Sequence, residues 1–269
     1  FKALFPMFRL STGILEIILL LTLAGCSTNG NRINGVETSG AILRGDTTIK
    51  NIALVFTGDE FGDGGEIILK ALENKKIKAS FFLTGNFYRN GKYIPLVKKL
   101  KTSGNYLGSH SDKHLLYCDW TKRDSLLVTN PEFLKDLEDS YSELSKLGIP
   151  KREARYFLPP YEWYNDSIAL WTRRFGLQLV NFTPGTGSNA DYTYPEMGKS
   201  YVDSKTIFNS ILSFEQRSAS GLNGFILLAH IGTDPRRTDK FYYLLDDLIT
   251  ELQTGGYEFV RIDELLLRH

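Results

Sequence analysis

This chain of 269 residues has few cysteines, few histidines and almost no net charge. It has two cysteines and four histidines, and its 32 basic and 31 acidic residues leave a formal net charge of +1. Such a balance gives no indication of a nucleic-acid partner or of a membrane surface bound by electrostatic attraction. No GxGxxG or P-loop pattern follows the first predicted strand, which disfavours a nucleotide-binding sheet.

An apolar run near the N-terminus, residues 14–24, is too short for a comfortable membrane span and is typical of a signal-peptide core. The run ends in Leu23-Ala24-Gly25-Cys26, which resembles a bacterial lipobox, where the cysteine becomes the lipidated first residue. The alternative is an ordinary secretory signal with a chance cysteine. We therefore predict a lipoprotein signal peptide over 1–26 and a lipid anchor at Cys26. The protein would then lie outside the cytoplasm, at the bacterial cell envelope.

Residues 27–49 are polar and rich in Gly, Asn and Thr, which predicts a flexible tether. If Cys26 carries a lipid, Cys118 has no partner for an internal disulfide, and the fold must rest on its hydrophobic core. The remaining length suits one domain. We expect residues 50–269 to form a single catalytic domain that acts as a monomer.

From residue 51 onward, apolar strand patterns alternate with helical spacing. Continuous apolar strands are typical of a parallel sheet that is buried on both faces. Such a β/α repeat indicates either a barrel or an open doubly wound sheet, and we predict a barrel with fewer than eight strands. The predicted strands are 51–57, 78–84, 105–109, 155–158, 177–182, 224–229 and 257–262. The predicted helices are 65–74, 93–102, 131–147, 166–175, 204–218 and 240–254.

Two of the four histidines, His110 and His114, are four residues apart. On a helix this spacing places both rings on one face, where they form half of a site for a divalent metal. Zinc is the usual occupant of such a site, with cobalt or nickel as alternatives. The pair predicts a metal site only if a carboxylate completes it; otherwise it is a chance pair on the surface.

Carboxylates and a further histidine follow other predicted strands. Asp59 and Glu60 come after the first strand, Glu162 after the fourth, and His230 after the sixth. In parallel barrels the active site lies at the carboxyl ends of the strands, which is where these residues are expected. The alternatives are that Asp59 and Glu60 cap a turn and that His230 is a hydrogen-bonded core residue.

Aromatic residues are frequent in the loops that follow the strands, and they either stack on sugar rings or belong to the core. Tyr161 and Trp163 are our candidates for substrate binding. The Gly- and Pro-rich segment 181–195 is a long loop at the same rim, and loops of that length are commonly functional. Arg236 and Arg237 would either bind an anion or form local salt bridges, and we favour the salt bridges.

Several motifs together resemble the polysaccharide deacetylases (the NodB-homology family, carbohydrate esterase family 4). Segments 55–60 and 78–85 are similar to the family's Thr-Phe-Asp-Asp motif and its Ala-Thr-Phe-Phe strand. Segment 110–114 matches His-Ser/Thr-x-x-His in full, and 228–230 matches Leu-x-His. Segment 158–161 matches Arg-x-Pro-Tyr/Phe in part. The resemblance covers residue 51 to the C-terminus and implies a distorted (β/α)7 barrel.

The resemblance also implies a role for each matching residue. Asp59 would be the general base, and Glu60, His110 and His114 would hold the divalent metal. His230 would protonate the leaving group, and a backbone N–H near Tyr161 would stabilise the oxyanion. An alternative register makes Asp59 the ligand and Glu60 the base.

Two positions depart from the family pattern: Leu158 replaces the motif arginine, and Glu162 stands where glycine is usual. These departures indicate a divergent branch of the family, and we consider three hypotheses for its function. The first is a metal-dependent hydrolase that removes N- or O-acetyl groups from a polysaccharide or oligosaccharide. The second is a metal amidohydrolase that acts on a small non-sugar amide. The third is a non-catalytic glycan-binding member of the family.

Overall fold

The computed structural model describes residues 36–267. The predicted signal peptide, Cys26 and the first part of the tether lie outside the described residues. The strands are β1 (Val36–Thr38), β2 (Ala41–Arg44), β3 (Asn51–Gly58), β4 (Ser80–Leu83), β5 (Tyr106–Ser109), β6 (Tyr156–Phe157), β7 (Gln178–Leu179), β8 (Phe225–His230) and β9 (Glu258–Phe259). The helices are α1 (Gly65–Lys75), α2 (Gly85–Arg89), α3 (Ile94–Thr102), α4 (Asn130–Lys146), α5 (Asp166–Arg174), α6 (Ser204–Arg217), α7 (Leu245–Thr254) and α8 (Ile262–Leu265).

Strand β3 is the centre of the sheet. Its residues from Ile52 to Gly58 are all buried, as an apolar strand covered on both faces must be. It pairs in parallel with β4 on one side and with β8 on the other, and its start pairs with β9. Strand β4 is followed in space by β5, β6 and β7, all parallel.

The far edges of the sheet approach each other through β2. This strand pairs antiparallel with β8, while Ile42 forms a parallel bridge with Val180, just beyond β7. The sheet therefore curls into a nearly closed barrel, with helices packed outside it. The predicted distorted (β/α)7 barrel is confirmed.

The first two strands correct the predicted tether. Strands β1 and β2 form a hairpin whose turn residues, Ser39 and Gly40, have φ of 48° and 78°. Two successive positive φ values are typical of a tight hairpin turn that matches the twist of the strands. Ala41 and Ile42 are buried in the core. The ordered domain therefore begins before residue 50, and residues 36–49 are not a free linker.

The helices begin and end close to the predicted positions because their caps are encoded locally. Helix α4 opens with a capping box in which Thr129 and Glu132 satisfy each other's backbone N–H groups. The predicted helix 240–254 is divided: Phe241–Leu244 is a 3₁₀ turn, and α7 follows it. Within residues 36–267, no helix is long and apolar enough to cross a membrane.

Candidate active site

A cavity of about 610 Å³ lies at the carboxyl ends of the parallel strands. This volume falls in the range of small-molecule and substrate sites. Six of the residues that line it were singled out from the sequence: Asp59, Glu60, His110, His114, Tyr161 and His230. Glu162 and Arg236, which the sequence analysis named without a catalytic role, also line it, and so do Thr57 and Asn189.

The two histidines lie in an irregular loop after β5, and not on a helix as their spacing suggested. Ser111 and His114 have left-handed backbone conformations, with φ of 74° and 55°, which an α-helix does not contain. The loop nevertheless turns His114 back onto His110, so that their Nε2 atoms are 3.3 Å apart. The helical geometry was wrong, but the two rings do converge.

Asp136 on α4 holds this loop in place. Its carboxylate accepts the backbone N–H groups of Asp112 and Lys113, each at 3.1 Å, and the Tyr117 hydroxyl at 2.8 Å. Asp136 is only 5% exposed, so these hydrogen bonds are shielded from water. Burial raises the pKa of Asp136 in spite of them. An acid on one helix therefore fixes the backbone between the two histidines.

His110 and His114 are held in the neutral form. His110 Nδ1 lies 2.8 Å from the carbonyl oxygen of Leu158, which can only accept, so Nδ1 carries the proton and Nε2 has its lone pair free. Burial, followed by the neighbouring His114, lowers the pKa of His110 well below its usual value. Burial also lowers the pKa of His114, against the opposing charge of Asp59. Neutral imidazole is the form that binds metal ions.

His230 is paired with Asp191. Its Nδ1 donates to Asp191 Oδ1 at 2.6 Å, and its backbone N–H donates to Asp191 Oδ2 at 2.8 Å. Burial lowers the pKa of His230, but the charge and hydrogen bond of Asp191, together with Glu162, raise it above its usual value overall. His230 is therefore poised to carry a proton. Sequence reasoning placed Asp191 only within the long loop 181–195, because no motif links it to His230.

Asp59 and Glu60 follow β3 directly but face different surroundings. Asp59 is half-buried, its Oδ1 accepts the Thr84 hydroxyl at 2.7 Å, and its charge acts on His114. Glu60 is exposed, and its backbone oxygen accepts the Tyr93 hydroxyl at 2.9 Å. Of the two carboxylates, Asp59 is thus the one that interacts with the histidine pair.

The end of β3 itself supplies no carboxylate. Thr57 is fully buried, and its Oγ1 has no hydrogen-bond partner among residues 36–267. A Cβ on Gly58 would lie 2.5 Å from Ile231 Cγ2, so no side chain fits there. If the aromatic residue of the Thr-Phe-Asp-Asp motif is matched to Phe56, then Thr57 and Gly58 occupy the two acid positions. Under that pairing, the acids of this site come from the loops.

Glu162 is such a loop acid. It lies in the 3₁₀ turn Pro160–Glu162 after β6, lines the cavity, and interacts electrostatically with His230 and Asp191. Burial raises the pKa of Glu162 to about 7, against the opposing charge of His230. The sequence marked this residue as a departure from the family pattern but gave it no role.

The two aromatic candidates have different positions. Tyr161 is 43% exposed, lines the cavity, and packs against His114 with ring centroids 4.4 Å apart. Trp163 is half-buried and is not among the cavity-lining residues; it packs between Arg123 and Trp120. Trp120 is 55% exposed and forms the open rim instead.

The two neighbouring arginines are both locally paired, as the sequence analysis favoured. Arg236 at the cavity rim forms two hydrogen bonds with Asp234 and stacks on Tyr194 at 3.9 Å. Arg237 is fully buried and donates to Thr193 and Val202 carbonyls. Neither guanidinium is arranged as a free anion site.

The sequence model of the polysaccharide deacetylase family matches residues 44–180. This chain belongs to the polysaccharide deacetylase family. It is 25% identical over 240 residues to the peptidoglycan-N-acetylmuramic acid deacetylase PdaA of Bacillus subtilis, covering 88% of this chain and 80% of that protein. It is 28% identical over 218 residues to the peptidoglycan-N-acetylglucosamine deacetylase PgdA of Listeria monocytogenes, covering 81% of this chain but 39% of that protein.

Solved structures of polysaccharide deacetylases share the fold. The structure of Bacillus subtilis PdaA, a family 4 carbohydrate esterase, matches with a TM-score of 0.64 at 23% identity, over 84% of this chain and 85% of that one. A CE4 family pseudoenzyme from Bacillus anthracis matches with a TM-score of 0.65 at 16% identity, over 86% of this chain and 70% of that one. The predicted family is thereby confirmed, and with it the prediction of a carbohydrate deacetylase at the level of the family.

The residues present fit a divalent metal in part. Two neutral imidazoles direct Nε2 atoms at one point, which suits zinc or a similar ion. Thr57 Oγ1, on a residue that lines the same cavity, is buried without a partner among the described residues, and a further ligand or water there would satisfy it. Within residues 36–267, however, no three His, Cys, Asp or Glu side chains lie close enough to surround an ion. The third ligand, Asp59 or Glu60, would have to move toward the histidines.

Proposed function

We propose that this protein is a metal-dependent deacetylase that removes acetyl groups from a polysaccharide or oligosaccharide of the cell envelope. The convergence of the His110 and His114 Nε2 atoms in the cavity that His230 also lines, with His230 paired to Asp191, is the single observation that carries the proposal. Candidate metal ligands and a candidate proton donor that line one cavity support this proposal, because hydrolysis of an unreactive amide or ester requires both.

His110 and His114 would hold the metal, with Asp59 as the carboxylate ligand. The charge of Asp59 already acts on His114, which supports this choice over Glu60. A bound divalent ion polarises the acetyl carbonyl and makes bound water more acidic. His230 would carry its proton to the leaving nitrogen or oxygen, with Asp191 holding the imidazolium in position.

Tyr161 would contribute to the site through both its side chain and its backbone. Its ring packs on His114 at the cavity wall, and its backbone N–H would stabilise the oxyanion. The amides of Glu162 and Trp163 donate to Pro159 and Pro160, so they are engaged elsewhere. Trp120 on the rim would stack on a sugar ring.

The substrate class follows from the relatives. PdaA and PgdA are named for their action on peptidoglycan, which supports a cell-wall glycan as the substrate here. A lipidated Cys26 would hold the enzyme at the envelope, as the lipobox pattern predicts. Zinc is the ion that we expect, because histidine nitrogen with one carboxylate suits it.

Acetate release from the purified full chain tests the proposal. Peptidoglycan fragments, acetylated chitooligosaccharides and acetylated xylan are each incubated with protein treated with a chelator and then with added zinc, cobalt or nickel. We expect release from at least one glycan that depends on added metal. Release of acetate only from small non-sugar amides would instead support the amidohydrolase hypothesis.

Metal content gives an independent measure. His114→Ala should remove most of the bound zinc measured by elemental analysis, because it removes one of two convergent nitrogens. His269→Ala, which also removes one histidine, is the control and should bind zinc like the wild type. Wild-type protein that binds no metal and releases no acetate would support a glycan-binding member of the family that lacks catalysis.

A further inference from the structure

We propose that Glu162 is the residue that accepts the proton of the attacking water in this cavity. The inference rests on the proposed function and extends it, because it identifies the base that acts together with the His230–Asp191 pair. Neither Asp59 nor Glu60 has this role in the proposal.

The backbone holds Glu162 in a conformation that an L-residue rarely adopts. Tyr161 and Glu162 have φ of 59° and 53°, so two successive non-glycine residues are left-handed. This conformation is strained for any residue with a Cβ, and strain of this kind is concentrated at functional sites. The Glu162 N–H donates to Pro159 at 3.0 Å, and its carbonyl accepts Asn181 Nδ2 at 2.7 Å. The turn is therefore fixed from both sides.

Glu162 lines the cavity, and other charged groups act on its carboxylate from two elements. His230 faces it from the end of β8, and Asp191 faces it from the 3₁₀ turn Ser188–Tyr192. The acid and the histidine both line the cavity in which the reacting acetyl group would sit. One group can therefore receive a proton and the other can deliver one without crossing the site.

The environment also gives Glu162 a proton affinity that suits a base at neutral pH. Burial raises the pKa of Glu162 to about 7, and the positive charge of His230 limits the rise. A general base is most effective when its pKa is near the working pH. Asp59, in contrast, is held by Thr84 beside His114, and Glu60 is exposed to solvent.

The proton balance of the reaction is simple. The Glu162 carboxylate takes one proton from water while the water oxygen forms a bond to the acetyl carbon. Protonated His230 gives its proton to the leaving nitrogen or oxygen as the bond from that atom to the acetyl carbon breaks. Acetic acid then loses its proton to His230, and the proton on Glu162 passes to the product or to solvent.

The pH dependence of Glu162→Gln tests the proposal. In the wild type, kcat/KM should rise with pH through about 7, since Glu162 must be ionised to act. The variant should lose about 10² to 10⁴-fold in kcat, and its remaining activity should lack this rise. Its zinc content should stay at the wild-type level. Glu153→Gln, which alters an exposed acid that precedes β6 and does not line the cavity, should keep both rate and pH profile.

A second substrate separates this inference from the proposed function. p-Nitrophenyl acetate has a leaving group that needs no acid, so Glu162→Gln should slow its hydrolysis whereas His230→Gln should largely spare it. Both variants should lose activity on the glycan. Wild-type hydrolysis of the aryl ester with a pH profile that depends on Glu162, but with no glycan deacetylation, would overturn the proposed function and leave the inference standing.

Thermal unfolding gives a readout without any substrate. The folded pKa of about 7 lies above the usual value for glutamate, so folding favours the protonated form and the buried carboxylate weakens the fold as pH rises through 7. Glu162→Gln should therefore unfold at a higher temperature than the wild type at pH 8, and at nearly the same temperature at pH 5. A merely structural role would give a variant that is less stable at both pH values.

Three results would overturn the inference. Glycan deacetylation by Glu162→Gln within tenfold of the wild type would show that this acid is not the base. A Glu162→Gln variant that is slow but keeps the rise near pH 7 would assign the base elsewhere. Loss of that rise in Glu60→Gln, with Glu162→Gln unaffected, would assign it to Glu60.

Discussion

Asp191 binds both the ring and the backbone of His230, through Nδ1 at 2.6 Å and the backbone N–H at 2.8 Å. The two residues are 39 positions apart in the chain. This double contact fixes the tautomer of His230, because Nδ1 must carry a proton to donate. Nε2 is then the ring nitrogen that can serve the substrate.

The first prediction concerns this pair. Asp191→Asn keeps the shape but removes the charge that raises the pKa of His230. We expect kcat on a glycan to fall by about 10²-fold, and the alkaline limb of the pH profile to move to lower pH. Asp247→Asn, an exposed acid on α7, is the matched control. An unchanged alkaline limb in Asp191→Asn would mean that His230 does not deliver the proton.

The second prediction concerns the support of the histidine loop. Asp136→Asn leaves one oxygen in place of two to accept three hydrogen bonds from the loop. We expect the free energy of unfolding to fall by about 1–3 kcal/mol and zinc affinity to fall by about 10- to 100-fold. Urea titration and zinc competition measure these two effects. Asp139→Asn on the same helix should change neither, and full zinc affinity in Asp136→Asn would show that the loop holds its shape without this acid.

The third prediction concerns the rim of the cavity. Trp120→Ala removes a 55% exposed ring whose edge packs on Tyr161. If sugars stack there, KM for the glycan should rise about 5- to 10-fold with little change in kcat, which corresponds to the usual strength of an aromatic contact. Hydrolysis of p-nitrophenyl acetate should be unaffected. Tyr243→Ala, which removes an aromatic ring that is 62% exposed and does not line the cavity, should leave KM unchanged.

The fourth prediction concerns the neighbouring arginines. Arg237 is fully buried and donates to three backbone carbonyls and to Ser204 Oγ. Arg237→Lys cannot make all of these hydrogen bonds, and the stranded carbonyls should lower the free energy of unfolding by about 3 kcal/mol. Arg236→Lys, at an exposed guanidinium, should change it by less than about 0.5 kcal/mol. If both variants lost the same free energy of unfolding, the assignment of Arg237 as a buried structural residue and Arg236 as an exposed one would be wrong.

The sequence was sufficient for the barrel and for most elements of it. Strands such as β3 and β8 are apolar along their whole length, and helices such as α4 carry their own caps, so local patterns determine them. The hairpin of β1 and β2 was missed because it is short and lies in a polar, Gly-rich segment. What orders it is burial of Ala41 and Ile42 against distant strands, which no local pattern reveals.

Site residues could be predicted from the sequence only where they belong to a short motif. His110, His114 and His230 were found because each lies in a motif next to a strand end. The backbone conformation of the histidine loop could not be predicted, because it depends on hydrogen bonds to Asp136 on α4, which no local motif reveals. The pairing of Asp191 with His230, and the position of Glu162 beside them, depend on how the loops fold over the barrel.

Three residues with left-handed backbones, His114, Tyr161 and Glu162, meet around the cavity. Each would be more relaxed as glycine or asparagine, so this region is where selection for stability alone would change the sequence first. The presence of these three side chains means that the fold tolerates strained backbone at the rim of the cavity. A screen for thermostable variants of this protein would thus be expected to return substitutions at these positions, and to return them without activity.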